Sequence, residues 1–139
     1  MIIFEYSDDY ARKFGDVAEI KFSNRFFPDE CIRGWEYLIE EIEKGYNWEI
    51  FELDYDVGHR ETADFFLNEI SLNNFPEHQE FKKLISELDT KFLNLTQVNP
   101  RLESFDDLFW WEKRLLKYGG EKYREYLEKQ ELSMVKLKV

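Results

Sequence analysis

The side chains able to do acid–base, nucleophilic or metal chemistry in this sequence are 30 carboxylates, two histidines and one cysteine. Neither His59 nor His78 has a second His or Cys at metal-ligand spacing, so no zinc site is encoded locally. A nucleophile elbow, a phosphate-binding loop, a dinucleotide glycine fingerprint and a zinc-protease helix each leave a local string, and none occurs. His59, between Gly58 and Arg60, reads as a loop residue at a helix entrance, and Cys31 as a small apolar side chain of a helix stripe. Two carboxylates brought together by the fold could still hydrolyse a substrate. The adjacent pairs, however, have structural readings: Asp106-Asp107 at a helix start and Asp8-Asp9 in a turn. The expectation is a protein that is not an enzyme, with no catalytic residue, no metal and no cofactor.

Charge is the more informative feature. With 19 Lys and Arg, the net charge of the 139-residue chain is −11, which makes free nucleic acid an unlikely direct partner. Residues 29–56 concentrate it: Asp29, Glu30, Glu36, Glu40, Glu41, Glu43, Glu49, Glu52, Asp54 and Asp56 stand against Arg33 and Lys44, for a local charge of −8. A protein seeking only solubility would intersperse the signs, because clustering like charges costs self-repulsion. A chain that is 43% hydrophobic, with 13 Phe, 8 Tyr and 4 Trp, is too rich in bulky apolar groups for a disordered acidic tail, and one domain spanning 1–139 is expected. A single cysteine excludes an intramolecular disulfide and points to a reducing compartment. The start, Met1 to Asp9, lacks a basic leader, and apolar runs reach only about four residues, as at Leu108-Phe109-Trp110-Trp111, against the roughly 20 of a membrane span. A cytoplasmic location with no membrane partner follows as an expectation.

The elements that would position these groups are read from periodicity. Ile2 to Tyr6 and Val17 to Ser23 read as strands, the second with Ala18, Ile20 and Phe22 on one parity. A helix is expected from Asp29 to Lys44 on the stripe Ile32, Trp35, Leu38, Ile39 and Ile42, ending at a left-handed Gly45. Tyr46 to Val57 alternates as a strand with a bulge at Ile50-Phe51, which would line Glu52, Asp54 and Asp56 along one face at roughly 6.6 Å intervals. Further helices are expected at Arg60 to Leu72, Glu77 to Leu95, Phe105 to Tyr118 (capped by Ser104 and ended by Gly119-Gly120) and Glu121 to Leu132, then a terminal strand from Ser133 to Val139. The fold class is α+β: a helix-rich single domain with a small, mainly antiparallel sheet. Of the paired aromatics Phe26-Phe27, Phe65-Phe66 and Trp110-Trp111, one member of each should enter the core, since helical neighbours point about 100° apart.

An acidic run interleaved with Tyr37, Tyr46, Trp48 and Tyr55 in a small domain without catalytic strings is similar in character to the immunity proteins that bacteria encode beside contact-dependent and other polymorphic toxins. The resemblance implies a tight complex in which acids meet the basic active-site cleft of a cognate toxin domain, often a nuclease. The residues expected to bind that partner are Tyr37, Glu40, Glu41, Glu49, Glu52, Asp54, Tyr55 and Asp56, with charges steering association and tyrosines anchoring the complex. The competing readings are a non-catalytic scaffold or subunit that uses exposed aromatic residues for protein–protein contact, and a metal-dependent enzyme built from scattered carboxylates. Oligomeric state is left open.

Overall fold

A computed structural model describes residues 1–46, 50–117 and 119–129; the side chains of residues 50, 51, 52 and 54 are not among those described. The fold is α+β, with five helices and a two-stranded antiparallel sheet among the described residues. Helix α1 spans Asp8–Phe22, α2 Pro28–Glu43, α3 Ile50–Leu67 and α4 Pro76–Leu95; the hairpin strands are β1 (Thr96–Val98) and β2 (Arg114–Leu116), and α5 spans Glu121–Lys129. Short 3-10 turns lie at Ile70–Leu72 and Trp110–Lys113.

The two stripes read most easily from sequence are the two that form the centre. On α2, Pro28 supplies a preset φ at the first turn, Glu30 reaches back to accept from the Phe27 amide, and Gly45 follows the helix at φ +101°. Trp35, Ile39 and Ile42 are buried, as are Phe81, Leu84, Leu88 and Phe92 of α4, and α2 packs against both α3 and α4.

Several expectations are corrected. Val17 to Phe22 is the second half of α1, with Ser23 as its left-handed C-cap, and not a strand: Ser7 caps the helix by accepting from the Tyr10 amide, Asp8 and Asp9 occupy its first turn, and Tyr10, Phe14, Val17 and Ala18 repeat at helical spacing. Ile20, which fed the period-two reading, is 87% exposed. Ile2 to Tyr6 keeps the alternation, with Ile2, Phe4 and Tyr6 against the core, but joins no sheet; the Ile2 amide instead donates to Glu36. Within Tyr46 to Val57, residues 50–57 are helical, continuing into Arg60 and beyond, so His59 lies inside α3 and not in a loop. That helix stops at Leu67, five residues short of the expected Leu72.

The expected helix from Phe105 to Tyr118 is replaced by turns, the Trp110–Lys113 turn and β2. Neither Ser104 nor Asp106-Asp107 begins a helix. Asn99 organises the segment: its side chain accepts from the Arg101 amide, its carbonyl accepts from Leu102 and Glu103, and its amide donates to the Lys113 carbonyl at 2.8 Å. The sheet is thus β1 on β2, in the register Thr96↔Leu116, Gln97↔Leu115 and Val98↔Arg114. Arg114 rivets it through Nε to Thr96 Oγ1 and Nη2 to the Thr96 carbonyl. The terminal strand expected at Ser133 to Val139 lies outside the described residues, as does the last part of the helix expected to reach Leu132; Glu121–Lys129 is helical.

Buried polar groups tie these elements together. The Arg60 guanidinium on α3 forks onto Asp89 of α4, with Nε to Oδ1 at 2.8 Å and Nη2 to Oδ2 at 3.0 Å, and Trp35 Nε1 of α2 donates to the same Oδ1. Its outer face lies 4.5 Å from the Trp111 ring centroid. In the aromatic half of the core, His78 is fully buried, stacked on Phe81, with Nε2 at 3.0 Å from the Phe66 carbonyl and Nδ1 at 2.8 Å from the Tyr10 hydroxyl. A carbonyl can only accept, so Nε2 carries a proton; burial disfavours a second one, and in the neutral imidazole Nδ1 accepts from the Tyr10 hydroxyl.

Two outcomes follow. Asp89→Ala, which strands a buried cation, should cost about 3–5 kcal/mol in urea unfolding, and Arg60→Met combined with Asp89→Leu should recover most of it. Burial, seconded by Lys82, holds the His78 pKa below its ordinary 6.5, so the unfolded chain binds the proton first. Stability should be full above that value and fall as the pH drops below it toward the lower native pKa. His78→Gln should flatten that slope below about pH 6.5 in urea midpoints.

Candidate functional site

Helical spacing decides which of the expected binding residues share a surface. On α2, Gly34, Tyr37 and Glu41 fall on one side. On α3, Tyr55 and His59 are one turn apart and their rings meet edge to face at 6.4 Å. The two sides meet at Gly34, where an added Cβ would lie 2.7 Å from His59 Nδ1; the missing side chain is what lets the imidazole lie on α2. Tyr37, 48% exposed and one turn after Gly34, and Tyr55, 75% exposed and one turn before His59, therefore project from the two helices on the same side of the Gly34–His59 contact, with Glu41 one turn beyond Tyr37. On a strand Tyr55 would share a face with Leu53; in the helix Leu53 is buried and Tyr55 faces out.

The carboxylates are sorted by what they touch. Arg33 Nη1 donates to Glu36 at 2.7 Å and to Glu40 at 3.0 Å, and Nη2 donates to the second Glu40 oxygen at 3.1 Å. These bonds hold the half-buried Glu40 carboxyl below its ordinary range. Glu36, buried, also accepts from the Ile2 amide, and both acids are thereby drawn into structure. The Arg33 guanidinium lies 5.8 Å from the Tyr37 ring centroid and stiffens the tyrosine from one side. Lys44 stands 3.9 Å from Glu41, and Asp56 accepts from the hydroxyl of the buried Tyr46. Glu49 lies outside the described residues, and the side chains of Glu52 and Asp54 are likewise not described.

The expected row of Glu52, Asp54 and Asp56 does not exist as a row. On a helix, positions 52 and 56 fall on one side and 54 roughly 200° away, so a single face cannot present all three.

Cys31 is buried, and desolvation pushes its thiol up to about 12, so no thiolate forms near neutral pH. Among the described residues no group of three or more His, Cys, Asp or Glu side chains is arranged to hold a metal ion, and no helix is long and apolar enough to cross a membrane. Trp111 is buried, while Trp110 is 37% exposed beside exposed Phe105 and Phe109 on the 99–113 segment. No protein-family model matches the chain, and no curated protein and no solved structure matches it either.

Because both tyrosines project from packed helices into solvent, Tyr37→Ala and Tyr55→Ala should each change unfolding free energy by no more than about 0.5 kcal/mol. Leu88→Ala, in the buried stripe, should cost about 2–5 kcal/mol under the same denaturant titration.

Proposed function

We propose that this chain is a non-catalytic binding protein of the immunity type, which neutralises a cognate toxin domain, often a nuclease, by covering a basic surface. The observation that carries this reading is the pair of exposed tyrosines, Tyr37 and Tyr55, each one helical turn from the close approach of Gly34 to His59 that joins their two helices. Tyrosine gives large amphipathic contact area at the loss of only two rotatable side-chain bonds, and rings held on packed helices are already ordered before a partner arrives. The net charge of −11 provides the long-range attraction that speeds encounter with a basic partner. Glu41 and Asp56 lie on the binding elements, Glu40 supports Tyr37 through Arg33, and Glu49, Glu52 and Asp54 add to the field.

The test is coexpression with the product of a toxin gene encoded immediately upstream, followed by binding kinetics. A 1:1 complex is expected, with an on-rate that falls as salt rises over a Debye length of about 8 Å, and with Tyr37→Ala raising the off-rate roughly 30-fold, as a central anchor worth about 2 kcal/mol would. Robust metal-dependent turnover by the isolated chain, abolished by changing His59 or a carboxylate, would overturn the reading.

A further inference from the structure

The 99–113 segment is held on a different side of α3 from the tyrosine face. Residues 59 and 60 point about 100° apart on α3: His59 lies exposed toward α2, while Arg60 runs inward to Trp111. The Asn99 to Lys113 hydrogen bond closes the base of the segment, and buried Trp111 pins it, stacked on Phe109 at 4.4 Å and 8°. What remains outside is unusual for a solvated loop: Phe105 is 49% exposed, with Phe109, Trp110 and, on β1, Val98 also exposed. Three cavities open along this segment and the elements beside it, with Trp110 at one and Phe109 at another. One of about 400 Å³ is bordered by Leu102, Leu108, Glu61 and Glu112; one of about 290 Å³ by Val98, Leu108, Trp110 and Glu103; and one of about 410 Å³ by Phe65, Phe109 and Glu61. Leu108 thus walls two of them and Phe109 the third, so rigid rings alternate with hollows, the relief of an interface core more than of a solvated turn.

Charge chooses the occupant. Glu61, Glu103, Asp106, Asp107 and Glu112 make no ion pair among the described residues. Of the cations bordering the cavities, Arg114 is committed to Thr96 and the Leu93 carbonyl, and Lys21 lies over the Phe65 ring, which leaves Lys113. A second copy carrying −11 would be repelled. We infer that the 99–113 segment and its three cavities form a second docking surface, for a protein segment that presents arginine or lysine side chains among apolar ones. The apolar side chains enter the hollows, and the cations meet the unpaired carboxylates and the faces of Trp110 and Phe105.

The experiment is an amide-resolved NMR titration of the full chain with the peptide acetyl-(Leu-Arg)3-amide, with acetyl-(Gly-Arg)3-amide as the charge-only control. The Leu-Arg peptide should shift amides 103–112 and the Trp110 indole. Asp106→Lys combined with Asp107→Lys, two exposed positions, should weaken that response roughly tenfold without moving the melting temperature, and Phe105→Ser should do the same. Tyr37→Ala should leave it intact, which separates this surface from the one proposed above. The inference fails if the Gly-Arg peptide gives the same shifts, if the shifts are confined to α2, or if light scattering shows a dimer that Phe105→Ser dissolves.

Discussion

The charge of Arg60 must be kept in an almost water-free interior, and most of the tertiary arrangement is what it takes to do so. Its side chain is only 5% exposed, and removing such a cation from water costs several kcal/mol unless the geometry of its partners is good. Asp89 provides the fork, Trp35 fixes one Asp89 oxygen, Asp64 stands 3.5 Å from Nη1, and Trp111 covers the ring-facing side. Those residues come from α2, α3, α4 and the Trp110–Lys113 turn, so four parts of the chain are bound to one planar group. The turn would otherwise have little reason to lie on the helices; with Trp111 as the lid of the guanidinium, the β1–β2 hairpin behind it is carried into place.

The other half of the core is held by rings. Phe14 and Phe66 stack at 3.9 Å, with Phe22, Phe26 and Phe81 edge-on or tilted around them, and His78 completes the set by satisfying the Phe66 carbonyl and the Tyr10 hydroxyl at once. Here α1 joins the bundle. The segment before α1 is secured from outside, by Ile2 on Glu36, Tyr6 on Asp29 and Ser7 on Glu77. The acidic side chains of α2 therefore do two jobs, and the count of carboxylates in residues 29–56 overstates the number facing a partner.

What could be read in the sequence was what repeats locally. The α2 and α4 stripes, Phe66 in the stripe of α3 and the outward Tyr37 follow from helical spacing, whereas the choice of Trp111 over Trp110 is made by the packing against Arg60 in a turn that is not α-helical. Residues 50–57 misled because the buried stripe of α3 continues through Arg60, a charged residue that periodicity counts as surface, while outward Tyr55 counts as core. The hairpin could not be read locally: its strands have three residues each, and their pairing depends on Asn99 and Arg114 meeting partners 14 to 18 positions away. The site was legible as a composition, tyrosines among acids, but the Gly34 contact that gathers Tyr37 and Tyr55 belongs to two helices at once and leaves no signal in either.

The placement of the indoles around Arg60 gives the molecule an optical asymmetry. Trp35 and Trp111 sit in a buried setting against the guanidinium and Asp89, where their indoles sense the opening of that centre. Trp110, next in sequence to one of them and tilted 85° from it, borders solvent. Two neighbouring indoles are thereby placed to report on different events, one on the integrity of the interior and the other on whatever covers the surface.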